Sequence, residues 1–162
     1  MKLTLIGTAA ILAVMSGTFM YHRHNNENRY IDVDFSKPSS EKRLCVMEHS
    51  KAIYCTWVTH GRNSGELYAT RFSNENGSGE SSLGKLRVGE SYYGKHGLSY
   101  RLDGLEPGKN DNVRSRAIVI HEADYIGYGR TGRSLGCLAV PTDDIETLFK
   151  YIYTGMIIKA HV

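Results

Sequence analysis

Hydrophobic and polar residues alternate along this chain with two different rhythms. In "RLCVMEHSKAIYCTWVTHG", residues 43–61, two short apolar runs flank Glu48-His49-Ser50-Lys51, the pattern of a β-hairpin turning around Ser50. After a polar gap, "GRNSGELYATRFSNENGSGESSLG", come "LRVGESYYGKHGLSYRL" and "RAIVIHEADY", short and rich in aromatic and β-branched residues, as strands are. The rhythm changes once, near the end. Ile145, Leu148, Phe149 and Ile152 fall on one face of "TDDIETLFKYIYTG", which predicts a helix. Asp143 and Asp144 stand at its positive end and Gly155 is placed to close it. "MIIKAHV" then reads as a final strand. The expectation is a mainly β domain with one C-terminal α-helix. Seventeen glycines against three prolines suit its many turns and a mostly antiparallel sheet.

The first residues follow neither rhythm. Lys2 precedes an apolar run from about Leu3 to Met15, with Val14 and Ser16 as small residues ahead of a cut. If Thr18, Phe19, Met20 and Tyr21 are included, the run is long enough to span a bilayer. Residues 1–21 are therefore read as a signal peptide or membrane anchor, residues 22–41 as a polar linker, and residues 42–162 as one catalytic-sized domain. An exported protein is expected. The net charge of +3 is mild and no dense Lys/Arg block occurs, so nucleic acid is not an expected partner. His22 and His24 lack further ligands, and no C-x-x-C or H-E-x-x-H spacing occurs, so no metal is expected.

The three cysteines divide unequally. Cys45 and Cys55 flank the first hairpin and face each other if its loop has three residues; a one-residue change of register separates them. A disulfide and a pair of buried thiols both remain open. Cys137, in "GRTGRSLGCLAVP", is the odd one out, and an unpaired thiol in an exported protein needs an explanation. A small buried hydrophobe is one reading. The other is a nucleophile on a glycine-shaped turn, which requires a base within reach. His121 ends the run Ala117-Ile118-Val119-Ile120 sixteen residues upstream, and the loop between carries four glycines. His60 in "WVTHGRNSG" and His96 in "YGKHGLS" compete for the role. Gly136 admits a close backbone approach, so N–H groups near Gly136 and Cys137 are candidate oxyanion donors. Ser134 can bond within the loop, while Arg130 and Arg133 raise the local potential in favour of a thiolate and of carboxylates on a substrate. A catalytic thiol of this kind is expected to alkylate well below about pH 8.

Taken together and in order, "VTHGRNSG", "FSNENGSGESSLG", "YYGKHGLSYRLDGLEPGKNDN", "RAIVIHEADY" and "GRSLGCLAVP" resemble the murein L,D-transpeptidase catalytic domain, in its YkuD-like branch with R-S-x-G-C-x-A-x-P. The resemblance runs from about Leu44 to the C-terminus. It implies a β-sandwich-like catalytic domain with a cysteine at a cleft, working on peptidoglycan stem peptides without metal or organic cofactor. It places the nucleophile on Cys137 and the base on His121, oriented by the main chain of Glu122, with Gly136 and Ser134 completing the turn. Arg133, His60, Glu122 and Tyr125 are the expected substrate-binding residues, and Ser81-Ser82-Leu83-Gly84 is expected to line the same cleft. Two positions depart from the wider pattern. Glu122 stands where many members have glycine, and is either a ligand for a diamino acid's amine or a solvated carboxylate. Leu135 stands where many have histidine, which weakens any transfer of acceptor specificity.

Three functions follow from these residues. An L,D-transpeptidase passes the acyl group to an amine; an L,D-carboxypeptidase passes it to water through the same first half-reaction. An inactive wall-binding domain keeps the scaffold without turnover.

Overall fold

The computed structural model describes residues 28–126 and 133–162. Eight strands form one hydrogen-bonded sheet: β1 (Arg29–Asp34), β2 (Leu44–Glu48), β3 (Lys51–Thr56), β4 (Gly84–Gly94), β5 (Gly97–Gly104), β6 (Val119–Ala123), β7 (Leu138–Pro141) and β8 (Ile157–His161). Their order across the sheet is β3-β2-β1-β8-β4-β5-β6-β7. One helix, α1 (Thr142–Phe149), lies among the described residues. The mainly β reading with a single late helix describes the molecule.

Strand β1 corrects the polar-linker reading of residues 22–41. "RYIDVD" buries Ile31 and Val33 completely while Tyr30, Asp32 and Asp34 turn outward, the alternation of a half-buried strand. It pairs antiparallel with β2 and parallel with β8, at the middle of the sheet. Its two buried aliphatic side chains and the adjoining Phe35 each contribute roughly 1.5–3 kcal/mol by leaving water. The folded body therefore extends at least to Arg29. The proposed signal or anchor at 1–21 lies outside the described residues; no helix among those described is long and apolar enough to cross a membrane.

The first hairpin also differs in detail. His49 and Ser50, with φ of 48° and 63°, form a two-residue turn of the kind that matches strand twist. That turn alone would set Cys45 opposite Tyr54. A register shift beyond Val46/Met47 moves the pairing by one and brings Cys45 against Cys55, where the disulfide forms. Helix α1 buries Ile145 and Leu148 and ends at Lys150, so Gly155 (φ 98°) serves the turn before β8 instead of closing the helix.

The sheet rolls until its ends meet. The chain leaving β3 runs along the outer edge of β7, with Thr59 N–H donating to the Ala139 carbonyl (2.9 Å) and Arg62 N–H to the Ser134 carbonyl (2.8 Å). Otherwise β7 would present an unpaired edge. Arg43 holds this closure from inside. Its buried guanidinium donates to the carbonyls of Val58 (2.9 and 3.1 Å) and Lys37 (3.0 Å) and to His60 Nδ1 (2.8 Å). Burial pushes its pKa down to about 10.

Candidate active site

Strands β6 and β7 run parallel with His121 opposite Ala139. Cys137 lies two residues before Ala139, so the strand alternation puts its side chain on the same face as His121. Both open on one cleft of about 510 Å³, walled by the β4–β5 hairpin tip, the turn before β6 and the residues before β7.

His121 is 4% exposed, and its Nδ1 lies 2.7 Å from the Glu122 carbonyl. A carbonyl only accepts, so Nδ1 carries the proton and Nε2 keeps its lone pair. His96, at the hairpin tip, stacks on this ring with centroids 4.4 Å apart and planes inclined 26°. Burial holds the His121 pKa below the usual imidazole range; the Glu122 carbonyl opposes this, while His96 and Lys95 reinforce it.

Cys137 packs against the core yet reaches the cleft, and its Sγ lies 3.8 Å from the Ala117 carbonyl. Burial pushes the thiol pKa up, against the opposing effects of the Val119 N–H, Arg116 and Lys95. Burial thus disfavours the charged form of both groups, the thiolate and the imidazolium.

Ser134 and Gly136 shape the turn. The Ser134 hydroxyl donates to the His60 carbonyl (3.1 Å) and accepts the Gly136 N–H (3.2 Å). The Gly136 N–H is therefore engaged, which leaves the Cys137 N–H as the turn's candidate oxyanion donor. Gly136 has φ 116°, and a Cβ there would sit 2.5 Å from the Glu80 carbonyl. Glycine is needed for that close approach and that backbone conformation.

Arg133 and Tyr125 line the cleft, the guanidinium 5.7 Å from the ring centroid. His60 does not. It is fully buried, accepts from Arg43 at Nδ1, and donates from Nε2 to the Gly65 carbonyl (3.1 Å). Its site contribution is the carbonyl that Ser134 holds. The Glu122 side chain is also elsewhere: one residue past His121, it faces the opposite side of the sheet, in a second groove with Phe149 and Glu146. Only its carbonyl enters the site. Ser81 and Ser82 stand behind the cleft wall, Ser81 Oγ accepting from Gly61 N–H and Ser82 Oγ from Arg116. Leu135 lines the cleft and is 59% exposed. Arg130 lies outside the described residues.

Arg116 and Lys95 were not singled out from the sequence. Arg116 spans from Ser73 to Glu80, donating to the Ser73 (2.6 Å) and Glu80 (2.5 Å) carbonyls and to the Ser78 (3.1 Å) and Ser82 (2.7 Å) hydroxyls. Ala117 follows it with φ 55°, closing a turn in which Ala117 N–H reaches the Arg114 carbonyl and Ile118 N–H reaches that of Val113. That is a Schellman arrangement with alanine in the position glycine favours. The signal available was five residues wide, "RSRAI", and an arginine before a strand has no distinguishing spacing.

The class defined here is a rolled β-domain with an oriented histidine on one of two adjacent parallel strands and a cysteine at the entry to the other, opening on one cleft. A family model described as the L,D-transpeptidase catalytic domain matches residues 7–161, and the chain belongs to that family. No curated protein sequence matches it. Among solved structures, it is similar to an L,D-transpeptidase of Xylanimonas cellulosilytica, with 13% identity and a TM-score of 0.53 over 83% of this chain and 60% of that one. For an L,D-transpeptidase from Mycobacterium smegmatis the values are 11%, 0.54, 83% and 59%. For the Bdellovibrio bacteriovorus protein Bd1075 they are 17%, 0.53, 83% and 48%. The chain thus spans about half to three fifths of these proteins' lengths, and at such identities the likeness is one of fold.

Proposed function

We propose that the chain is a cysteine L,D-transpeptidase acting on peptidoglycan stem peptides, with Cys137 as nucleophile and His121 as general base and acid. The observation that carries this reading is the His121–Glu122 bond, which holds the proton on Nδ1 and leaves Nε2 as the proton acceptor in the cleft shared with Cys137. The Sγ proton passes to Nε2 as sulfur bonds to the carbonyl carbon of the diamino acid at position 3 of a tetrapeptide stem. The Cys137 N–H stabilises the developing oxyanion. Collapse breaks the amide C–N bond, and Nε2 returns the proton to the departing D-Ala nitrogen. An acceptor amine then attacks the thioester, gives up a proton through Nε2, and releases the thiol, leaving a 3–3 cross-link. Neutral histidine suits both proton transfers, because it begins each half-reaction able to accept.

The protein and its Cys137→Ala variant, incubated with purified disaccharide-tetrapeptide, test this by mass spectrometry. The expected product is a cross-linked dimer lacking one D-Ala, absent with the variant. Free tripeptide alone would make the protein a carboxypeptidase, and an untouched tetrapeptide would sink the donor assignment.

We also infer export, with residues 1–21 as signal or anchor. The apolar run and the Cys45–Cys55 disulfide, which suits an oxidising compartment, support it. Fractionation with N-terminal sequencing tests it; a cytoplasmic chain with an intact start would overturn it.

A further inference from the structure

The cleft holds a one-sided set of charges. Lys95, Arg116 and Arg133 line it together with His96 and His121, and no carboxylate side chain is among its described lining residues. Nearby acids turn away. Glu122 faces the opposite groove beside Glu146, and Glu80 lies 3.8 Å from Arg71 through its carboxylate. Asp124 is exposed beside Tyr125 and does not line the cleft. Elsewhere in the molecule, Arg29, Arg87, Arg101 and Arg114 each sit against a carboxylate. The cleft cations have no such described partner.

The three differ in what they can still do. Arg116 spends its N–H groups on Ser73, Ser78, Glu80 and Ser82, so it is a fixed source of positive potential. Lys95 is exposed at the hairpin tip, and Arg133 is exposed over the face of Tyr125. A guanidinium lying over a ring keeps its N–H edge for an acceptor, and an ammonium rotates freely toward one. Both line the same cleft as the cysteine. A ligand carrying carboxylates would bring the partners that the protein itself withholds.

We propose that Lys95 and Arg133 select an acyl donor whose carboxyl groups are free acids, and discriminate against the same stem peptide with those groups converted to carboxamides. The inference rests on the stem-peptide reading above and names the charge state of its substrate. A carboxamide keeps the shape of the acid but presents a donor to a donor at one of its two positions and loses the charge-assisted bond. About tenfold in affinity per contact is expected from such a loss.

The test measures binding to the full chain carrying Cys137→Ala, so that no donor is consumed. The two probes are disaccharide-tetrapeptide with all carboxyls free and the same molecule with the second-residue and diamino-acid carboxyls amidated. At low salt the free acid is expected to bind at least about tenfold more tightly, with the gap narrowing as salt rises. Adding Lys95→Gln and Arg133→Gln should bring the two probes within about twofold, whereas Arg133→Lys should keep most of the preference. Equal binding by both probes, or a preference that survives the double substitution, would overturn the proposal. Failure of both probes to bind would overturn it together with the stem-peptide reading. Turnover by the unsubstituted protein separates the two ideas. Preferential binding without release of D-Ala removes the catalytic reading and leaves recognition standing; equal turnover of both donors does the reverse.

Discussion

His60 and His121 occupy similar local settings, "WVTHG" and "IVIHE", each following a short β-branched stretch. Both are buried, and burial holds both pKa values below the ordinary imidazole range. The difference lies in how their nitrogens are used. His60 accepts from Arg43 at one and donates to Gly65 from the other, so no lone pair is left for chemistry. His121 has Nδ1 tied to its neighbour's carbonyl and its ring edge on a cleft. A buried histidine with two partners is a structural part; one with a single backbone partner and an opening beside it is able to carry a proton.

The largest expected effect breaks this comparison at the chemical end. Replacing His121 with Gln should lower kcat for D-Ala release by roughly 10²–10⁴-fold with the fold intact, the usual contribution of a general acid–base group. His60→Gln should leave the pH profile of kcat/KM unchanged. Its effect should fall on stability, about 1–3 kcal/mol in a denaturant melt, because the Arg43 fork loses a matched acceptor. If the two variants exchange these phenotypes, the assignment of base is wrong.

Next in size is the disulfide. Cys45→Ser with Cys55→Ser should cost about 2–3 kcal/mol, the loop-closure value for so short a ring, measured by urea unfolding. Activity per folded molecule should be unchanged, since neither cysteine lines the cleft.

The pH dependence sharpens the comparison further. An imidazole whose folded pKa lies below its unfolded value, about 6.5, binds fewer protons in the folded protein as acid is added. The contribution of His60 and His121 to stability is therefore full above about pH 6.5 and is lost as pH falls below it. The melting temperature should decline on that side, and His60→Gln should flatten part of the decline. Cys137 should alkylate with iodoacetamide along a curve whose midpoint lies above the ordinary thiol value of about 8.5. A midpoint below neutrality would instead mean a resting thiolate–imidazolium pair.

The smallest effect concerns the turn beneath the sulfur. Ala117→Gly should relieve a left-handed alanine by about 1 kcal/mol, offset in part by the greater freedom of glycine in the unfolded chain. The net change in melting temperature should be small and upward, with the alkylation curve of Cys137 unmoved.

What could be read from the chain alone was whatever rests on local pattern. Short β-branched runs announced the strands, the 3.6-residue spacing of Ile145 and Leu148 announced α1, and the odd cysteine behind Ser-Leu-Gly marked the turn. The nucleophile and base candidates were legible because they lie on strands close in sequence, joined by one loop. Long-range placement was not legible. Strand β1 reads as polar because only two of its six residues are aliphatic, and its central position depends on pairing with β8, more than a hundred residues away. The placements of the His60 and Glu122 side chains, away from the cleft, were not legible either. A histidine's function is decided by which groups reach its nitrogens, and a strand residue's by which face is open. The partners of His60 include Arg43, brought in by the rolling of the sheet, and the face of Glu122 was set by the one-residue alternation that turns His121 inward. Residue types and local rhythm determined which chemistry was available; only the closure of the sheet decided which of the available groups meet.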